Sequence, residues 1–186
     1  EGSDLCITPV SAPENHYVRI KADNRLEADG TLRGTFTLTA EGQSDSNIRR
    51  IFTTGFQSEW KSTMERQLLA ISPKARLLSV DYGKNPKDYQ AAPIKITFRY
   101  EIPDYALKGE GEMFFRPMVM NNLYNQVRSY MWIDTSVENR KYGFKDACSR
   151  LVELDETVQL PAGYKLVSAV KDETMQGVGA DFEGSL

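Results

Sequence analysis

The sequence predicts a mainly β protein: an antiparallel two-sheet β-sandwich with a helical insert around residues 46–72. Three observations point there. Apolar and polar residues alternate at period two in stretches spread along the chain, an Asp29-Gly30 turn joins two of these stretches, and helical spacing is confined to one region between strands. No strand–helix–strand alternation argues for a parallel sheet.

Residues 1–16 hold Pro9 and Pro13 without periodicity and read as an arriving linker, an edge strand or the exit from an upstream domain, while residues 17–186 read as a single domain. The first hairpin is the clearest element. Val18, Ile20 and Ala22 alternate before the turn, and Leu32, Phe36, Leu38 and Ala40 after it, with Arg33, Thr35, Thr37 and Thr39 on the opposite face. The pattern breaks at residues 43–47. Ile48, Ile51 and Phe52 then fit a short helix capped by Asp45 or Ser46 and stopped by Gly55. A second helix is expected from Ser58 to Pro73, with Trp60, Met64, Leu68 and Ile71 along one stripe as core filling.

Period two then returns. Leu78, Val80 and Tyr82 suggest a strand before the turn-rich Gly83-Lys84-Asn85-Pro86, and Ile94, Ile96, Phe98, Tyr100 and Ile102 form one face of a core strand stopped by Pro103. Gly109 and Gly111 mark a reversal that should return Met113-Phe114-Phe115 beside that strand. Segment 118–132 is irregular and rich in Asn, with Tyr124, Tyr130 and Trp132, and residues 127–133 read as a further strand. The last strands are expected over 150–160, with Val152, Leu154, Val158 and Leu160 on one face, and over 164–170 after Pro161-Ala162-Gly163. Beyond Lys171 the chain reads as loose and polar.

Composition narrows the function. A formal charge of -3 with scattered basic residues argues against nucleic acid, and no apolar run is long enough to span a bilayer. The chain starts at Glu1 without an initiating Met or a signal-peptide pattern, as expected of a piece of something longer. Cys6 and Cys148 could pair across a very long loop in an oxidising compartment, but two free thiols are the simpler reading.

The motifs of catalysis are weak throughout. The lone histidine, His16, precedes a strand, and neither cysteine is presented at a helix start, so a Cys–His pair is disfavoured against a surface histidine and two structural thiols. Asp23, Glu27 and Asp29 only loosely echo a calcium loop and fit hairpin-tip solvation better. Gly109 with Gly111, and Gly177 with Gly179, suit turns better than a phosphate cradle. Glu153, Asp155 and Glu156 read mainly as the exposed face of a strand. No catalytic, cofactor-binding or metal-binding residue is assigned, and no cofactor is expected.

One resemblance adds to this reading. Leu26-Glu27-Ala28-Asp29-Gly30-Thr31-Leu32-Arg33-Gly34, then Ala92-Pro93-Ile94-Lys95-Ile96-Thr97-Phe98-Arg99-Tyr100 running on to Pro103-Asp104-Tyr105-Ala106, and Phe115-Arg116-Pro117 form the first part of an ordered set. Glu138-Asn139-Arg140-Lys141-Tyr142-Gly143-Phe144 and Val158-Gln159-Leu160-Pro161-Ala162-Gly163-Tyr164-Lys165-Leu166 complete it. Together they resemble the C-terminal β-domain, a domain of unknown function, of bacterial transglutaminase-like proteins that also carry an N-terminal β-domain of unknown function.

The resemblance implies a noncatalytic accessory domain of an extracytoplasmic protein, in the periplasm or at the cell surface of a Gram-negative bacterium. Its partner would be the upstream transglutaminase-like domain, of cysteine-peptidase fold, which would hold the Cys, His and Asp set that has no counterpart here. The family's domain continues past residue 184 with further strand, which implies a sheet edge truncated at Leu186. The competing reading is a surface module that binds glycan or protein through segment 118–132.

Overall fold

In the computed structural model, residues 9–91, 93–120, 141, 148–169, 171–177 and 179–185 are described. The principal sheet grows from the hairpin of β1 (Val18–Leu26) and β2 (Leu32–Ala40). Its loop turns at Gly30, whose φ of 89° is a left-handed backbone that glycine adopts without steric cost. Here the Gly30 N–H donates to the Glu27 carbonyl at 2.9 Å, and Asp29 Oδ1 accepts the Thr31 N–H at 2.8 Å.

Between β2 and the next strand come α1 (Gly42–Thr53) and α2 (Trp60–Leu69), which form the expected helical insert. The sequence pattern puts the cap of α1 at Asp45 or Ser46, but the helix starts earlier, at Gly42. A neighbouring segment supplies the cap. His16, at the end of a 3-10 turn over Pro13–His16, accepts the Gln43 N–H on Nδ1 at 3.1 Å, and its carbonyl accepts from the Ser44 hydroxyl at 2.8 Å. In α2 the stripe Trp60, Met64, Leu68 and the following Ile71 is buried, as the spacing predicts.

β3 (Arg76–Asp81) and β4 (Ile94–Ile102) extend the sheet beyond β2. All three pairings among β1, β2, β4 and β3 are antiparallel. β3 departs from simple alternation. A bulge between Leu77 and Ser79 leaves Leu77 and Val80 on the core while Leu78 is 47% exposed. The short β5 (Leu107–Lys108) pairs with β6 (Met113–Phe114), so residues 113–115 return beside residues 107–108 and not beside β4.

The other edge strand is β7 (Val152–Gln159), which runs parallel to β1, with Val18 opposite Val152 and Arg25 opposite Gln159. The strand pairs are otherwise antiparallel, in keeping with a mostly antiparallel expectation, and this one pair among the described residues is parallel. Alternation fixes which face a residue takes and leaves strand direction open, and the partners are so far apart in sequence that no local crossover signal exists. Residues 164–169 are exposed and form no strand. The segment after Lys171, read as loose, instead makes a hairpin of β8 (Glu173–Gln176) and β9 (Asp181–Gly184). Residues 127–133 and most of segment 118–132 lie outside the described residues.

The fold is mainly β with a helical insert, as the sequence predicts. One hydrophobic core lies between the sheet and the second layer. Ile48 and Phe52 of α1, the α2 stripe, and Met118 and Val119 pack there with Val18, Ile20, Leu32, Phe36, Ile96 and Phe98 of the sheet. Phe36 and Phe98 stack across the β2–β4 pair within the sheet (centroids 4.3 Å apart), while edge-on contacts among Phe52, Trp60 and Tyr82 hold the helices to the chain that follows β3.

Candidate functional site

Four residues interrupt the otherwise apolar inner face of the sheet: Asn24 on β1, Gly34 on β2, Tyr100 on β4 and Glu156 on β7. Each occupies the inward parity of its strand. Asn24, Gly34 and Tyr100 stand in one row of the register. A side chain at Gly34 would put Cβ 1.9 Å from Asn24 Oδ1 and 2.6 Å from the Asp23 carbonyl oxygen. The bare position therefore opens a window across β2, through which the Tyr100 hydroxyl donates to Asn24 Oδ1.

The chain of contacts continues to the sheet edge. Asn24 Nδ2 donates to Glu156 Oε1 at 2.6 Å, and Glu156 Oε2 accepts the Val119 N–H at 2.9 Å. Tyr100 is 0% exposed and Asn24 5% exposed, so no substrate reaches the hydroxyl or the amide. Burial pushes the Tyr100 phenol far above its ordinary range, keeping it a neutral donor. Burial also pushes the Glu156 carboxyl up, opposed by hydrogen bonds from Val119, Asn24 and Met118. The groups satisfy one another, and the result is a polar lock joining β4, β1, β7 and the 3-10 turn Met118–Met120.

This corrects the sequence reading of Glu156, which puts it mainly on the exposed face with Glu153 and Asp155. Those two are outward and pair with Arg19 and Lys21, whereas Glu156 shares its parity with Val152, Leu154 and Val158. That parity was the signal available in the sequence: a carboxylate in register with three half-buried apolar residues.

A second buried cluster holds α1 to the loop before β4. Arg49 is 2% exposed; its Nε donates to Asp45 at 2.6 Å, and Nη1 donates to the carbonyls of Pro86 (3.1 Å) and Asp88 (2.8 Å). Asp45 also accepts the Ile94 N–H at 2.7 Å. Of the other residues weighed in the sequence, His16 is occupied in capping α1, Cys148 carries a free thiol, and Cys6 lies outside the described residues. Glu27 pairs with Arg33 and Asp29 closes its own turn. Among the described residues, no three His, Cys, Asp or Glu side chains converge as a metal site would require.

The opposite, outer face of the sheet is a polar grid. Cross-strand ion pairs join Arg19 to Glu153 and Lys21 to Asp155, and Glu101 sits between Arg33 (2.6 Å) and Arg76 (3.1 Å). Near the β1–β2 turn the grid dips into an open depression of about 460 Å³, lined by Asp23, Arg25, Arg33, Thr35, Arg99 and Leu78, among others. No pattern in the chain announces it, because its residues come from strands whose register is set only in three dimensions.

Comparison with protein-family models, with curated proteins and with solved structures returned no match. No helix among the described residues is long and apolar enough to cross a membrane.

Proposed function

We propose that this chain is a noncatalytic accessory β-domain of a bacterial extracytoplasmic transglutaminase-like protein, in the periplasm or at the cell surface, supporting the catalytic-type core or its substrate contacts. The observation that carries this reading is the polar lock. Tyr100 and Asn24 are buried, Glu156 is half-buried, and these inward polar groups of the sheet are engaged with one another, as in a part whose polar groups serve architecture. The ordered resemblance supplies the family context. Three of its segments meet at one end of the sheet: the 26–34 turn, the 103–106 segment through the Ala106 N–H on the Gly30 carbonyl (3.0 Å), and residue 159 opposite Arg25.

The test is to produce the parent protein with and without residues 17–186 and compare melting temperature and substrate handling. The accessory role requires at least one of them to change. Identical behaviour of the two forms would refute it. A surface-binding role is the second reading, favoured by the depression on the outer face; the segment 118–132 to which the sequence assigns it lies mostly outside the described residues.

A further inference from the structure

We infer that the outer-face depression at the β1–β2 turn is a binding site for a carboxylated sugar, of the uronic-acid kind. This goes beyond an accessory role and does not depend on it. Charge gives the first argument. Elsewhere on this face most cations meet a cross-strand carboxylate, as Arg19, Lys21 and Arg76 do. Around the depression, among the described residues, Arg25 and Arg99 have no such partner, while Arg33 is already paired with Glu27 and Glu101.

Arg25 also stands directly opposite Arg33 in the register, an arrangement of like charges that weakens a sheet. An anion seated between Arg25 and Arg99 would relieve this repulsion, and a guanidinium fork suits a carboxylate.

The second argument is the β3 bulge. It turns Leu78 out of the core and onto the wall of the depression, opposite the strand that carries Arg99. An apolar wall beside two cations does not suit a bare inorganic anion. It suits a ring with a C–H face and a carboxylate on its rim. Thr35, Thr157 and Gln159 complete the lining with hydroxyl and amide groups, and Asp23 offers an acceptor for ligand hydroxyls. Asp23 would repel a polyanion and can accept hydrogen bonds from a sugar. The floor is strand backbone at Asn24, Gly34 and Tyr100, whose inward positions face the core. The volume lies within the range of small-molecule sites, roughly 300–1,000 Å³.

The experiment is calorimetric titration of the 186-residue chain with a uronate oligosaccharide, the neutral oligosaccharide of the same linkage, and poly-glutamate. The uronate is expected to bind, and the neutral sugar to bind about tenfold more weakly or worse, the worth of one charge-assisted hydrogen bond. Combining Arg25→Ala with Arg99→Ala is expected to weaken uronate binding by a similar factor, about tenfold, and Leu78→Ala to weaken it severalfold. Lys95→Ala, at the far end of the sheet, should leave binding unchanged, and unfolding curves should show each variant folded. Arg25→Ala alone should be as stable as the parent or more so, because it removes a like-charge contact. No uronate binding, equal binding of the neutral sugar, or tighter binding of poly-glutamate would each overturn the assignment.

Discussion

Gly34 shows how one absent side chain decides what its neighbours can do. Because β2 has no Cβ there, the Tyr100 hydroxyl reaches Asn24 over the strand between them, and the polar lock closes. Gly34→Ala should therefore destabilise the fold by about 2 kcal/mol or more in urea unfolding, because the added carbon meets both an amide oxygen and a backbone carbonyl. Stability unchanged by this substitution would mean that the window is not needed.

Glu156 carries a pH signature. Its carboxyl is pushed up in the folded state, so the native protein holds that proton to higher pH than the unfolded chain does. The native state then binds more protons through that window, and stability from this group falls as pH rises from the ordinary glutamate range through the raised value. In Glu156→Gln that fall should vanish from the urea-derived stability curve. Asp29 and Asp104 are shifted the other way, held low by the Thr31 N–H and by Lys74, so their contributions disappear as pH falls and do not mask the effect.

Among the elements, α1 depends most on neighbours outside itself. Its first turn is capped by His16 from the preceding 3-10 turn, and its middle is tied through Arg49 to the loop ahead of β4. Arg49→Ala leaves Asp45 without its cation close to the core and strips two carbonyls of their donor. It should cost about 3–5 kcal/mol, measured by thermal or urea unfolding. An effect below 1 kcal/mol, the level of about one surface ion pair, would show that the cluster is not the staple described.

The helices themselves were legible from the spacing of Ile48 and Phe52 and of Trp60, Met64 and Leu68. The cap was not, because His16 acts from a segment with no periodicity. The β3 bulge escaped for a related reason: Leu78 and Val80 alternate correctly on paper, and only the pairing with β4 shows Leu78 turned outward.

At the scale of the whole molecule, the sheet is closed at one edge by a strand from late in the chain. The inward and outward faces of β1, β2, β4 and β7 follow from alternation, and so does the core. That Asn24, Gly34, Tyr100 and Glu156 are neighbours does not follow, since it requires β7 to lie parallel to β1 in one particular register. The arginines of the outer depression were hidden for another reason: Arg99 comes near Arg25 and Arg33 only through the pairing of β2 with β4, which joins strands far apart in the chain. A division of labour results, with polar groups inside the sheet holding β4, β1 and β7 together and charged groups outside it mostly paired across strands at the solvent-facing surface.

The most direct test of that division is a double-mutant cycle on Asn24→Ala and Glu156→Ala, read by urea unfolding of the 186-residue chain. The lock requires a favourable coupling of about 1–3 kcal/mol between the two residues. Additive effects, within about 0.5 kcal/mol, would mean that Glu156 does not hold β7 to the sheet through Asn24, and would contradict the account.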